Sequence, residues 1–140
     1  MTVVYNEDSH QIKVFDPAGT MIFIASCWNA TVADNVWRYP DAGCPPGTYT
    51  LGPPSPNTTT HDELSMGPTF IPVNDIPGHD GIGIHGGGSC NQTVEAALAP
   101  RQRICPTENC FRMYNEDLLA LAKLIPDGGS MFIVHQSEAA

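Results

Sequence analysis

Gly81-Ile82-Gly83-Ile84-His85-Gly86-Gly87-Gly88 is the stretch on which the fold turns. Its β-branched residues mark a strand, and the strand runs straight into three glycines, so a histidine stands at a strand end. Phe70 to Val73, just upstream, is a second apolar, β-prone run. Nearer the N-terminus, strands are expected at Val3–Tyr5, Gln11–Phe15 and Met21–Ala25. Turn chemistry at Asn6-Glu7-Asp8 and Asp16-Pro17-Ala18-Gly19 separates them, which makes a β meander. Cys44-Pro45-Pro46-Gly47-Thr48-Tyr49-Thr50-Leu51 reads as a tight turn launching one short strand, followed by a polar loop from Ser55 to Asp62.

Downstream the period changes. From Asn115 to Ile125, Leu118, Leu121, Ala122 and Ile125 fall on one helical face, Glu116 and Asp117 suit the positive end of the dipole, and Asn115 is the expected cap. Pro126-Asp127-Gly128-Gly129 stops that helix, and Ser130 to His135 reads as a last strand. The expectation is a mainly β fold with one main α-helix, forming a single domain over residues 1–140.

Composition agrees. Thirteen Gly and thirteen Pro are too many for a helical bundle, because Pro deletes a backbone donor and interior Gly weakens a helix. Fifteen acidic residues against six basic ones give a formal charge of −9, which would repel phosphate backbones and anionic lipid, so nucleic acid is not an expected partner. The longest apolar run, Met21 to Cys27, is too short to span a bilayer, and MTVVYNED at the start lacks the basic flank and apolar stretch of a signal peptide. No membrane insertion is expected. Five cysteines, an odd number, fit two disulfides plus one free thiol in an oxidising compartment, or five reduced thiols in a cytosol.

A cysteine nucleophile needs a base or cation, backbone donors for an oxyanion, and a pocket poor in water. Residues 81–113 carry the required types. His85 is the candidate base, and the glycines after it would let a substrate backbone approach closely. Cys110 precedes the helix, whose dipole would lower its pKa, and Arg112 adds a cation able to hold a substrate carboxylate.

Gly83-Ile84-His85-Gly86 and Pro106-Thr107-Glu108-Asn109-Cys110-Phe111-Arg112-Met113 resemble the two halves of the L,D-transpeptidase (YkuD) catalytic signature, an Ile-His-Gly strand end followed by Ser/Thr-His-Gly-Cys-Ile-Arg. Pro45-Pro46-Gly47-Thr48-Tyr49 is similar to the family's Thr-Pro-x-Gly-x-Tyr turn, and the likeness continues through Asn115-Glu116-Asp117-Leu118 to Gly128-Gly129-Ser130. The resemblance implies a β-sandwich with its main helix after the catalytic cysteine. It implies cysteine-dependent acyl transfer on peptidoglycan tetrapeptide stems, releasing terminal D-Ala through a thioester. Transfer to an amine gives L,D-transpeptidase activity, and transfer to water gives L,D-carboxypeptidase activity. Cys110 would be the nucleophile and His85 the base. Arg112 and Thr107 would position substrate, and backbone around Gly86, Asn109, Cys110 and Phe111 would bind substrate or the oxyanion. No metal or organic cofactor is implied.

Glu108-Asn109 stand where the family has His-Gly. Asn is the non-glycine residue best tolerated at positive φ, whereas the Glu108 carboxylate is a candidate modulator that raises a neighbouring thiol's pKa unless it pairs or points outward. Cys90 and Cys105 lie in the 24 residues between His85 and Cys110 and are expected to bridge a lid loop. Two alternatives stay open: a weak or dead homologue that binds stem peptides, and a structural zinc module built from His85, Cys90, Cys105 and Cys110. His10, His61, His79 and His135 read as structural or solvated, and Trp28, Trp37 and Tyr39 as core or rim aromatics. The substrate lies in the periplasm or cell wall. Without a leader, the expected origins are a trimmed sequence, a bacteriophage lysis protein, or a secreted effector delivered by a contact-dependent machine, with a cognate immunity protein as partner in the last case.

Overall fold

The computed structural model describes residues 1–29, 44–78, 80–107 and 109–135. β1 (Thr2–Asn6) and β2 (Gln11–Phe15) form where the sequence alternates, and each buries every second residue: Val3 and Tyr5, then Ile12 and Val14, all fully enclosed. β3 (Met21–Ser26) adds antiparallel to β2. The turn before it closes on Asp16, whose Oδ1 accepts from the N–H groups of Ala18 and Thr20. This is the expected meander.

The chain continues through β4 (Trp28–Asn29), β5 (Gly47–Leu51), β6 (Ser55–Pro56), α1 (Thr60–Met66), β7 (Thr69–Asn74) and β8 (Gly83–His85). A 3₁₀ turn at Ser89–Asn91 and α2 (Val94–Ala97) follow, then β9 (Phe111–Arg112), α3 (Asn115–Leu124) and β10 (Met131–His135). Among the described residues the strands run in the order β3-β2-β1-β10-β5-β7-β8-β9-β4, with β6 beside β7. β5 and β7 share only the register Thr50 opposite Asn74 and Leu51 opposite Val73. Beyond that narrow joint the sheet doubles back on itself, so Tyr5 and Phe132 of one half meet Phe111 of the other edge-on, with ring centroids 4.9 and 5.0 Å apart. α3 drives Leu118 and Leu121 into the same core. Each enclosed side chain of this size contributes about 1.5–3 kcal/mol of burial free energy.

Two expectations are corrected here. The Ser55–Asp62 segment is not all loop: it contains β6 and the start of α1, because the Thr59 hydroxyl accepts from the Asp62 N–H and caps a helix. Asn115 does not cap α3. Tyr114 takes that position without a side-chain bond, while the Asn115 carboxamide accepts from Gly87 N–H at 3.0 Å and donates to the carbonyls of Ala97 and Ala99, both at 2.7 Å. Trp28 is buried as expected, whereas Trp37 and Tyr39 lie outside the described residues.

Candidate active site

β9 is two residues long and sits between two partners. It runs parallel to β8, with Ile84 opposite Phe111 and His85 opposite Arg112, and antiparallel to β4, with Asn29 opposite Phe111. Residues paired across a sheet share a face, so Ile84 and Phe111 both enter the core, fully buried, and His85 and Arg112 turn to the other side. Just before β9, the Cys110 thiol reaches the loop that leads into β8, where it meets the Gly81 carbonyl. β9 begins only at Phe111, so Cys110 stands immediately before the residue paired with Ile84 and two residues before Arg112, the partner of His85.

His85 is fixed from two directions. The Phe70 ring stacks on it, with centroids 6.0 Å apart and planes 19° from parallel. Gly83 has to be glycine, because a Cβ there would run into that same ring. The imidazole Nδ1 lies 3.0 Å from the Gly86 carbonyl. A carbonyl can only accept, so Nδ1 carries the proton and the lone pair falls to Nε2. Burial and then the Arg112 cation pull the imidazole pKa down to about 3, against the opposing bond to Gly86. The ring is neutral at pH 7.

Cys110 is half-buried, and its thiol donates to the Gly81 carbonyl at 3.6 Å. Burial pushes the thiol up; the Gly83 N–H and the Arg112 cation hold it down less strongly. The expectation of a thiol lowered by the helix dipole is corrected: β9 intervenes, and α3 begins only at Asn115. Base and thiol rest as a neutral pair.

The loops around this pair are held by buried polar side chains. Arg112 donates through Nε to Gly86 O at 3.1 Å, through Nη1 to the Cys105 and Pro106 carbonyls at 2.6 and 3.3 Å, and through Nη2 to Ser65 O at 2.9 Å. Instead of reaching for a substrate carboxylate, it draws three backbone segments together. Thr107 donates its hydroxyl to Cys110 O at 2.6 Å and so shapes the turn at Cys110. Gly86, Gly87 and Gly88 are buried, and a Cβ on them would strike Asn115, the Met66–Gly67 backbone or Cys105. Their closeness serves the protein's own packing.

A disulfide joins Cys90 to Cys105 with Cα atoms 5.9 Å apart. Two members of the zinc set are thus consumed, which removes the structural-zinc alternative. Glu108 and His79 lie outside the described residues. Sequence reasoning missed Phe70, Gln102 and Asn29. Gln102 is buried, donates to Met113 O at 2.9 Å and accepts from Asn115 N–H at 2.9 Å. Asn29 is buried against the backbone of Asn109 and Cys110.

A family model, the L,D-transpeptidase catalytic domain (YkuD), matches residues 3–134. No curated protein sequence matches the chain. Three solved structures share the fold. Bd1075 from Bdellovibrio bacteriovorus has a TM-score of 0.68 at 15% identity over 97% of this chain and 48% of its own. The helical cell shape determining protein Pgp2 from Campylobacter jejuni has 0.67 at 17% over 98% and 48%. An L,D-transpeptidase from Mycobacterium tuberculosis H37Rv has 0.58 at 15% over 96% and 57%. The chain spans about half the length of the structures it matches.

Proposed function

The chain belongs to the L,D-transpeptidase catalytic-domain (YkuD) family, and from that premise we propose that it performs cysteine-dependent acyl transfer on peptidoglycan tetrapeptide stems. The observation that supports this reading is the β8–β9 pairing, which sets His85 opposite Arg112, two residues past Cys110, with His85 Nδ1 committed to Gly86 and Nε2 left as the basic nitrogen.

In the proposed reaction Nε2 takes the thiol proton as sulfur attacks the carbonyl of the diamino acid. The C–S bond forms, the carbonyl oxygen gains the negative charge, and collapse of that intermediate breaks the bond to D-Ala, whose nitrogen receives the proton back from the imidazolium. The thioester then passes to an amine or to water. A resting neutral pair suits this sequence, since proton transfer and attack occur together and no buried charges have to persist between turnovers. Arg112 and Thr107 act as positioning residues, one for the loops and the other for the nucleophile's turn. The cell wall is the proposed place of action.

The test is incubation of the wild type and Cys110→Ala with purified disaccharide-tetrapeptide, followed by mass spectrometry of muropeptides and intact protein. Loss of D-Ala or a dimer joined through the diamino acid is expected with wild type only, the variant being slower by about 10⁴-fold or more. A folded wild type that yields neither product nor acyl adduct would make this a stem-peptide-binding homologue, with Glu108-Asn109 as the departure that silenced it.

A further inference from the structure

The Asn29 side chain occupies an unusual place. It is buried at the end of β4, and its Nδ2 donates to two successive carbonyls of the nucleophile's turn, Asn109 O at 2.6 Å and Cys110 O at 3.1 Å. Its Oδ1 accepts from Cys44 N–H at 2.7 Å, and its own backbone N–H donates to the Tyr5 hydroxyl at 3.0 Å. The carboxamide is therefore clamped from both ends. It can rotate only by breaking buried hydrogen bonds.

Two successive carbonyls on one side cannot belong to an ordinary strand, in which backbone groups point to alternate sides. The Cys110 carbonyl is on the β4 side, as the ladder requires. The Asn109 carbonyl has been brought there too, out of alternation. In a trans peptide the N–H points opposite to the carbonyl of the preceding residue, and no cis peptide is present among the described residues. Holding Asn109 O at Asn29 thus turns the Cys110 N–H away from β4, toward the side on which β8 and His85 lie. Phe111 N–H also points to that side, but the ladder continues as Met113 N–H to His85 O at 2.9 Å, and this spacing commits the Phe111 N–H to β8. Cys110 N–H is the donor that the departure from strand geometry redirects.

Resting on the reading of Cys110 as an acyl-transfer nucleophile, we propose that Asn29 is a positioning residue whose carboxamide holds the Asn109–Cys110 peptide in the orientation that presents the Cys110 N–H to the oxyanion. Loss of the latch lets the peptide swing into strand alternation, which takes the donor out of the site. The thiol itself, bonded to the Gly81 carbonyl, stays where it is.

This separates two reactions of the same sulfur. Alkylation by iodoacetamide forms no tetrahedral oxyanion, whereas acylation by the tetrapeptide does. Asn29→Asp keeps the shape and the Cys44 acceptor but replaces the donor by an acceptor; Asn29→Ser removes the donor without adding charge. For both, the rate of acyl-adduct formation on disaccharide-tetrapeptide is expected to fall about 10²–10³-fold, while iodoacetamide modification of Cys110, located by peptide mapping, changes less than about threefold. Acylation at the wild-type rate, an equal fall in both reactions, or unfolding of both variants would overturn the role of Asn29 and leave that of Cys110 standing. A wild type that alkylates at Cys110 but never acylates there would overturn both.

Discussion

In the half of the sheet built from β3, β2, β1, β10 and β5, strands are five or six residues long and all but the edge strand β3 bury alternating apolar side chains; beside the site, β8, β9 and β4 are two or three residues long. The first half coheres through burial and ladder hydrogen bonds. The second is too short for that, and His85, Arg112, Asn29, Gln102, Thr107 and Asn115, all buried, tie its loops together through backbone carbonyls and amides. Apolar packing tolerates the loss of a methyl group by partial collapse, whereas a buried carbonyl stripped of its donor has no substitute. The scaffold can vary; the site region fails at single atoms.

The sharpest way to break this contrast is to remove the Arg112 fork. Arg112→Met keeps the length of the stem but leaves the carbonyls of Gly86, Cys105 and Ser65 without that partner. The expected cost is about 3–5 kcal/mol in urea unfolding, against about 0.5–1.5 kcal/mol for Ile12→Val in the first half. Equal losses would mean that the two halves are held alike. The disulfide comes next in size. Closing a loop of sequence separation 15, it should stabilise by about 3 kcal/mol in the chain-entropy account. Cys90→Ser with Cys105→Ser should lower the unfolding midpoint accordingly, and thiol titration of denatured, unreduced wild type should find three thiols, since Cys27, Cys44 and Cys110 are free.

The same contrast explains what the sequence made legible. Val3, Tyr5, Ile12 and Val14 announce their strands because burial at period two leaves a trace in every second residue. α3 announces itself through Leu118 and Leu121 in the same way. His85 and Cys110 stood out because of their glycine and arginine neighbours, and the fold pairs His85 with Arg112, two residues past Cys110. The short helices were missed although Thr59 and Thr93 both mark their starts: α1 buries none of its residues fully and α2 only Ala97, so neither writes an apolar period. Asn29 and Gln102 were illegible for a deeper reason. Their partners are backbone atoms, 80 residues away for Asn29 and Asn109 and 11 away for Gln102 and Met113, and backbone atoms leave no residue type to read. The direction of the Cys110 shift failed similarly, since burial by distant elements outweighed the nearby helix.

The smallest effect concerns pH, and it follows from the burial of His85. In the folded chain its pKa is pulled down to about 3, whereas in the unfolded chain it is the ordinary histidine value of about 6.5. Above pH 6.5 neither state binds the proton and the group is silent. As pH falls below 6.5 the unfolded chain takes up a proton that the folded one refuses, so stability declines until the folded pKa is reached. Between pH 7 and pH 5 this one group should remove about 2 kcal/mol, at about 1.4 kcal/mol per pH unit once below 6.5. His85→Gln keeps a polar side chain but no titration in this range. The wild type should therefore lose about 2 kcal/mol more than His85→Gln between these pH values in urea unfolding. Parallel pH profiles for the two proteins would mean that His85 takes up a proton in the folded chain as readily as in the unfolded one, so that its burial does not hold the ring neutral below pH 6.5.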